Sequence, residues 1–342
     1  MHSITARTAD EVWRAAAGLV LEDARSVQSS RAGETLELLH VGFQIDEPSQ
    51  RWVFSRTPPM NPAFALVEVF WIVAGRRDAA FPRYWNRSLS RYCGTNADFH
   101  GAYGFRIREH FGIDQLDRVY RALGNSPDSR QCVLQLWDPA VDLPNPDGSP
   151  VAEDIPCNVT ILPKIRRGKL EWMQVVRSND LFLGLPYNFI QFTSIQEMLS
   201  GWLGVLPGAY HQVSDSLHVY TRDVEAVRRS LHAVDAPPNT DSFALDRQTW
   251  DEILPRVVYR LERFTDRNLS PTEFGGCAFG SDVPSPYENA ILIAAADAAR
   301  RRRWHDLERE CSDRCSNAQL VQLWSRWRSR CAERERESTR MG

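Results

Sequence analysis

The sequence predicts an α/β protein, because segments with helical and with strand periodicity both occur in it. Residues 62–73 form a continuous apolar run that begins with proline and is followed by Gly75, as is typical of a buried helix. Residues 170–176 alternate between apolar and polar side chains, as a strand does. Residues 188–204 return to helical spacing, and the Ala- and Arg-rich chain beyond residue 285 predicts further helices.

The composition is typical of a globular protein without a membrane anchor. The 342 residues carry a formal net charge of −3, and 43% of them are hydrophobic. A slightly acidic chain does not favour nucleic-acid binding. No apolar run reaches the roughly 18 residues that a membrane span requires, and residues 1–19 lack the pattern of a signal peptide. We therefore expect a cytoplasmic protein.

The cysteines are expected to be reduced thiols. Seven of them occur in the chain without the regular spacing of a disulfide scaffold, so any one could act as a nucleophile. Cys311, Cys315 and Cys331, with His305, could be imagined as a metal cluster, but their spacing fits no common zinc pattern. We expect no metal site.

Two polar strings carry most of the chemical information. The first, Asp-Ile-Pro-Cys-Asn, places Cys157 after a loop rich in Asp, Pro and Gly. The second brings Arg177 and Ser178 twenty positions later, a guanidinium and a hydroxyl that suit a phosphate. A cysteine after proline is by itself more often a small buried side chain. A cation near it would lower the pKa of its thiol and favours a nucleophile instead.

Glu68 lies inside the apolar run 62–73, where a carboxylate needs a partner or a raised pKa. By itself this position favours a structural role. Further along the chain, His218, Val219 and Tyr220 of the string Ser-Leu-His-Val-Tyr are expected to open another segment.

These strings resemble the thymidylate synthase superfamily over roughly residues 31–223. Upstream pieces occur in the family's order: Glu68 in its helix, Trp85, Ala-Tyr-Gly around Tyr103, and Asp-Ser-Arg ending at Arg130. The resemblance implies an α/β (α+β) fold with a mixed sheet flanked by helices, and a homodimer formed through the sheet. We therefore divide the chain into a catalytic domain at 1–285 and a helical extension at 286–342, in which we identify no function.

The resemblance also implies the reaction. Cys157 would add to C6 of a pyrimidine nucleoside monophosphate, and C5 would then attack the methylene of 5,10-methylenetetrahydrofolate, the co-substrate. Glu68 and Tyr103 would transfer protons through ordered water, which reverses the structural interpretation of Glu68. Asp180 completes the expected catalytic set.

Each substrate has its own expected contacts. The nucleotide would contact Arg31, Arg130, Arg177, Ser178, Asn188, His218 and Tyr220. The folate would contact Trp85, Asp180 and Gly184. The arginines and Ser178 would bind the phosphate, with Arg130 supplied by the other subunit and Gln131 standing where the family usually has a second arginine. His218 and Tyr220 would bond the sugar hydroxyl. The Asn188 amide matches O4 and N3–H of uracil, although an amide can rotate to match cytosine.

Three departures from a thymidylate synthase favour a different product. Asn158 replaces the usual His, Val176 replaces the usual Gln, and the C-terminus lacks the short apolar tail that closes over folate. Without that seal, water is the expected acceptor and gives a 5-hydroxymethyl product, as in phage and nucleoside-antibiotic hydroxymethylases. Residues 274–279, rich in glycine and aromatics, could supply a lid instead.

The leading hypothesis is therefore 5-hydroxymethylation of (d)UMP or (d)CMP. The alternatives are a thymidylate synthase, which forms the methyl group of dTMP, and a catalytically idle nucleotide- or RNA-binding homologue. The last would use the arginines at 300–303 as a basic patch. Such a run on a helix is more often a solvated face paired with nearby acids.

Overall fold

Seven strands form one mixed sheet in the computed structural model, which describes residues 2–24 and 26–341 and, of residues 338–341, only the backbone. The strands are β1 (His2–Ala6), β2 (Val27–Ser30), β3 (Gly33–Ile45), β4 (Leu134–Gln135), β5 (Asn158–Arg166), β6 (Lys169–Asp180) and β7 (Leu206–Tyr220). Across the sheet the order is β1-β3-β7-β6-β5-β4, with β2 paired to β3. The pairs β1–β3 and β6–β7 are parallel and the others antiparallel. The predicted mixed sheet flanked by helices is confirmed.

The described residues also form fourteen α-helices. They are α1 (Ala9–Asp23), α2 (Pro62–Val73), α3 (Ala80–Trp85), α4 (Ser90–Cys93), α5 (Tyr103–Phe105), α6 (Gln115–Asn125), α7 (Pro139–Asp142), α8 (Leu185–Trp202), α9 (Val224–Arg229), α10 (Arg247–Arg263), α11 (Pro271–Ala278), α12 (Ser285–Arg301), α13 (His305–Arg314) and α14 (Ala318–Met341). None of them is both long enough and apolar enough to cross a membrane.

The core lies between the sheet and these helices. α1 packs on β1 and β3, and α8 packs on β6 and β7, while α2 packs on α8 and is covered in turn by α12. Every residue of α2 except Glu68 is buried, as its apolar sequence predicted. The buried alanines of α12 belong to the same core, so the helices beyond residue 285 are packed into the molecule. The boundary between 285 and 286 stays a prediction.

Three neighbouring strands share a break in their inside–outside alternation. Along β6 and β7 the buried side chains stand at even positions up to the break and at odd positions after it, and His40 of β3 takes a positive φ of 58° at the same level. The break falls between residues 38 and 41 of β3, 176 and 179 of β6, and 214 and 217 of β7. It brings Ser178 and Ser216 opposite each other at the edge of a cavity.

Two element boundaries differ from the predicted ones. The helix predicted at 188–204 begins at Leu185, because Gly184 and Pro186 provide a normal helix start one turn earlier. Residues 216–220 close β7 instead of opening a new segment, since strand pairing with β3 continues to Tyr220. The strand predicted at 170–176 is confirmed and extends to Asp180.

Candidate active site

A cavity of about 1250 Å³ gathers residues from both ends of the chain. Twelve of the thirteen predicted site residues line it: Arg31, Glu68, Trp85, Tyr103, Cys157, Arg177, Ser178, Asp180, Gly184, Asn188, His218 and Tyr220. Arg130 does not, and is exposed in the loop between α6 and β4. The volume exceeds the roughly 300–1,000 Å³ of a typical small-molecule site, so the cavity has room for two ligands.

Arg177 fixes the loop that carries Cys157. Its backbone N–H donates to the Cys157 carbonyl at 2.9 Å. Its guanidinium donates to the carbonyls of Pro156 at 2.9 Å and Ile155 at 3.1 Å. The same side chain lines the cavity, so it holds the backbone beside the thiol while presenting charge to a ligand.

Burial, rather than charge, dominates the ionisation of Cys157. Desolvation raises the pKa of its thiol, and the nearby Asp154 and Asp180 raise it further, while Arg177 and Arg31 lower it. The net pKa lies above the ordinary value of a cysteine. The expectation that a neighbouring cation lowers the pKa of the thiol is confirmed for Arg177, but burial outweighs the effect of the two arginines.

Glu68 and Tyr103 are half-buried neighbours in the wall of the cavity. The Gln191 amide donates to a Glu68 carboxylate oxygen at 2.5 Å. Burial raises the pKa of Glu68 to about 7, against the opposing effect of that hydrogen bond. Burial also raises the pKa of Tyr103, which therefore keeps its hydroxyl proton at neutral pH. Glu68 can both hold and release a proton near pH 7, as a proton-transfer group requires.

Asn158 lies beside these groups and is fully buried. Its side-chain oxygen accepts from Gln174, and its amide nitrogen is closed to solvent. The Asn158 amide also lowers the pKa of the Tyr103 hydroxyl, so the two side chains are neighbours. Asn158 therefore acts on the site through Tyr103 and does not line the cavity itself.

The predicted nucleotide-binding side chains come from three different elements. Arg31 lies in the β2–β3 turn and donates to the Tyr92 carbonyl at 2.9 Å. His218 and Tyr220 end β7, with their ring centroids 5.7 Å apart. Asn188 stands in the first turn of α8, and its side chain has no hydrogen-bond partner in the described part of the chain. Its amide is available to a ligand.

Asp180 lines the cavity and also accepts hydrogen bonds that stabilise the turn into α8. One of its carboxylate oxygens accepts from the backbone N–H groups of Phe182 and Leu183, each at 2.8 Å. Its carbonyl accepts from the Gly184 N–H at 3.1 Å. Burial raises the pKa of Asp180, and the nearby His218 lowers it. The carboxylate therefore stabilises the turn into α8 with one oxygen, while the residue lines the cavity.

Sequence reasoning missed two groups next to the thiol. Asp154 lines the cavity, accepts from the Gly101 N–H at 2.9 Å, and lies beside the Cys93 thiol. Burial raises the pKa of both Asp154 and Cys93. Asp154 stood in the string before Cys157 and could have been found there, whereas no pattern singles out Cys93.

Sequence reasoning also missed Arg56, a buried cation in the cavity wall. Its side chain is 6% exposed and donates to the carbonyls of Phe182 at 2.7 Å and Pro58 at 2.6 Å. Its guanidinium lies 4.2 Å from the Phe182 ring centroid. Burial lowers its pKa, and it forms no ion pair with a carboxylate of the described residues.

The C-terminal extension reaches the cavity, although no function was predicted for it. Its lining residues are Arg300, Arg301, Trp327, Cys331 and Arg334. The suggested lid at 274–279 is wrong, because Phe274 is fully buried in α11 and this segment does not line the cavity. The C-terminal residue 342 and the side chains of 338–341 lie outside the described residues. Whether the end of the chain closes over the folate therefore stays a prediction.

Comparison with known proteins fits this geometry. A family model described as thymidylate synthase matches residues 19–254. A deoxyuridylate hydroxymethyltransferase of Bacillus phage SP01 is 32% identical over 257 residues, which cover 69% of this chain and 64% of the phage protein. A second deoxyuridylate hydroxymethyltransferase, of Pseudomonas phage M6, is 35% identical over 175 residues, which cover 51% and 48%.

An archaeal relative covers more of its own length. It is a putative thymidylate synthase of Methanothermobacter thermautotrophicus, 26% identical over 222 residues, which cover 64% of this chain and 93% of the archaeal protein. The chain spans only about half to just under two thirds of the length of the two phage relatives. Helices α12 to α14 lie beyond the family match.

Proposed function

Because the chain belongs to the thymidylate synthase family, we propose that it transfers a one-carbon unit from methylenetetrahydrofolate to C5 of a pyrimidine nucleoside monophosphate through a covalent Cys157 adduct. The observation that carries the proposal is the meeting of Cys157, Arg31, Arg177 and Asn188 in one cavity with room for a second ligand. The cavity thus offers a nucleophile, two cations that suit a phosphate and an amide that suits the edge of a base.

The chain's own residues account for activation of the base. The Cys157 sulfur forms a bond to C6, and the C5–C6 π electrons move onto C5 and O4. Arg31 and Arg177 favour the thiolate against the opposing effect of burial. The bound folate supplies an electrophilic one-carbon unit for C5. Once C5 has bonded to that carbon, loss of the C5 proton releases tetrahydrofolate and leaves an exocyclic methylene on the base. Addition of hydroxide from water to this methylene, or of hydride from the folate for a methyl product, then expels the Cys157 thiolate and restores the C5–C6 double bond.

Glu68 is the proposed proton-transfer group for these steps. A carboxyl with a pKa of about 7 exists in both protonation states at neutral pH, so it can stabilise charge at O4 and relay the C5 proton through water. Tyr103 remains neutral and can donate its hydroxyl proton in a hydrogen bond. Asp180 and Gly184, at the turn into α8, are the proposed neighbours of the folate, with Trp85 across the cavity.

We propose the 5-hydroxymethyl product, with uracil as the favoured base. The two phage relatives carry the name of that activity. Asn158 and Val176, which stand where a thymidylate synthase usually has His and Gln, also favour it. The test is incubation with UMP, dUMP, CMP or dCMP and methylenetetrahydrofolate in ¹⁸O-labelled water. We expect a labelled hydroxymethyl nucleotide in the mass spectrum and no rise in dihydrofolate absorbance.

A methyl-forming thymidylate synthase is the second candidate, and one observation favours it. Trp327 of α14 lines the cavity and adds a large apolar side chain to its wall. A wall that excludes water favours hydride as the acceptor of the bound intermediate. Thymidine nucleotide with stoichiometric dihydrofolate would establish this product. Salt-sensitive RNA binding without tritium release from C5-labelled nucleotide would instead indicate an idle homologue.

We further propose a homodimer through the open face of the sheet, with Arg130 completing the partner's phosphate site. Leu39 of β3 and Met173 of β6 are apolar residues that are 54% and 37% exposed, as residues that a partner subunit would cover are expected to be. The test mixes Cys157→Ser and Arg130→Ala chains, each inactive alone. Random reassortment across a two-fold interface should restore about a quarter of the wild-type sites. No recovery on mixing would contradict the shared site.

A further inference from the structure

We propose that Asp154 accepts the proton of the Cys157 thiol when the sulfur adds to C6 of the pyrimidine, and returns it when the sulfur leaves. This inference rests on the proposed function, because it names the base for the first step of that reaction. It gives a role to a carboxyl group that the expected set of site residues did not include.

The Cys157 thiol needs a base because it is protonated before it reacts. Burial raises the pKa of the thiol, and the opposing effects of Arg177 and Arg31 do not outweigh burial. Only the thiolate is an effective nucleophile, so the S–H proton must leave as the sulfur attacks. A carboxylate in the same cavity can accept such a proton.

Asp154 is the best placed of the carboxylates that act on this thiol. Its charge raises the pKa of Cys157 more than the charge of Asp180 does. One oxygen of Asp180 already accepts from two backbone N–H groups. Asp154 stands three residues before Cys157 in the loop that leads into β5, and both residues line the cavity.

Two donors hold the Asp154 carboxylate in place. The Gly101 N–H donates to its Oδ2 at 2.9 Å, and the Cys93 thiol donates to the same carboxylate. Gly101 packs directly on this loop, since a Cβ there would lie 3.0 Å from the Asp154 carbonyl oxygen and 3.0 Å from the Pro156 nitrogen. The carboxylate is therefore fixed relative to Cys157, as proton transfer across one intervening water requires.

The surroundings of Asp154 make it a better base than an exposed aspartate. Burial raises the pKa of its carboxyl, against two hydrogen bonds and the charges of His100 and Arg106. The carboxylate and the thiol also oppose each other's ionisation. Protonation of Asp154 therefore favours the thiolate, and the two groups can share one proton between them.

The step needs no further reagent. The S–H bond breaks, the S–C6 bond forms, and the C5–C6 π electrons move onto C5 and O4 while the proton passes to Asp154. When the C5–C6 double bond returns, the expelled thiolate takes that proton back. The enzyme ends the cycle, as it began, with a thiol and a carboxylate.

Replacement of Asp154 by asparagine tests this assignment, because the amide oxygen still accepts from Gly101 but cannot take up a proton. Asp147→Asn is the matched control, since Asp147 is exposed in the same loop and does not line the cavity. Iodoacetamide alkylation of Cys157 is followed by peptide mass spectrometry between about pH 6 and 10. Tritium release from C5-labelled dUMP is measured in parallel. Circular dichroism and the dUMP dissociation constant check that each variant is folded.

Asp154→Asn should make the thiol more acidic and yet less effective. The midpoint of alkylation should fall by about one pH unit, because the opposing charge is gone. Tritium release should fall by at least about a hundredfold, because the proton has lost its acceptor. Asp154→Ala should lose release as well and regain at least about tenfold of it in added formate, a small carboxylate base. Asp147→Asn should behave like the wild type in both measurements.

The opposite signs of the two effects distinguish a base from a structural carboxylate, because loss of the charge alone would speed the attack. The inference is overturned by an unmoved alkylation midpoint, by tritium release from Asp154→Asn within about threefold of the wild type, or by failure of formate to restore release by Asp154→Ala. A wild type that releases no tritium rejects the proposed function and this inference with it. Release by both the wild type and Asp154→Asn rejects this inference alone.

Discussion

Replacement of Glu68 by glutamine should stabilise the protein in a pH-dependent way while abolishing turnover. Glutamine has nearly the same shape, and its side-chain oxygen can still accept from Gln191, whose amide donates to Glu68 at 2.5 Å. The change therefore removes a titratable group without opening a cavity in α2. Because proton transfer typically contributes 10²–10⁴-fold, kcat should fall by at least about a hundredfold.

The magnitude for stability follows from the raised pKa of Glu68. Its folded-state pKa, about 7, lies above the ordinary value of 4.5, so the folded protein binds this proton more tightly than the unfolded chain does. Folding stability is therefore lost as pH rises from about 4.5 through 7, and the full penalty is present above pH 7. A shift of this size corresponds to about 3 kcal/mol. That is an upper value, since Glu68 is only half-buried where it faces the cavity.

Urea unfolding at pH 5 and pH 8.5, followed by circular dichroism, measures the effect. The gain in free energy of unfolding from Glu68→Gln should be larger at pH 8.5 by about 2–3 kcal/mol. Glu252→Gln, at an exposed position of α10, is the control and should change stability equally at both pH values. An equal gain from Glu68→Gln at both values would refute the raised pKa, and retained turnover would refute the catalytic role.

Three further substitutions separate the proposed roles. Cys157→Ser should abolish tritium release and leave the nucleotide dissociation constant within about tenfold, since a hydroxyl is a far weaker nucleophile of similar size; residual turnover would sink the covalent mechanism. Arg177→Ala should raise the nucleotide KM and lower kcat, because it removes both a phosphate contact and two hydrogen bonds to the Cys157 loop; steady-state kinetics like those of the wild type would contradict it. Asn188→Asp should shift kcat/KM towards cytosine nucleotides about tenfold, because a matched buried hydrogen bond is worth about 1–3 kcal/mol; an unshifted ratio would mean that this amide does not read the base.

Most of the site could be predicted because its residues occur in short strings at the ends of strands and helices. Five of them lie between the end of β6 and the first turn of α8, namely Arg177, Ser178, Asp180, Gly184 and Asn188. Local sequence fixes such a turn, so recognising the string also locates the residues in space. The buried helix at 62–73 was predictable for the same reason, since its apolar run leaves only Glu68 polar.

Other parts depend on contacts between distant segments and left no local signal. In the sequence, Arg56 is an ordinary arginine in a loop. It becomes a buried cation in the structure because Phe182, distant in the chain, packs against it. Trp327 fits a helical apolar stripe equally well whether that stripe faces the core or a ligand. The net pKa of the Cys157 thiol also required the structure, because the balance between burial and two arginines depends on how much solvent reaches the sulfur.

The product depends on two properties that the sequence argument treated as one. Exclusion of bulk water is a property of the whole wall, and α14 contributes to it with Trp327 and Cys331, which line the cavity. Placement of one reactive water is a local property, and it depends on polar groups that line the cavity, such as Glu68 and Tyr103. A site can therefore be closed to solvent and still deliver a single ordered water to the intermediate. The hydroxymethyl proposal consequently rests on the phage relatives and on the residues at 158 and 176, and a wall supplied by α14 does not contradict it.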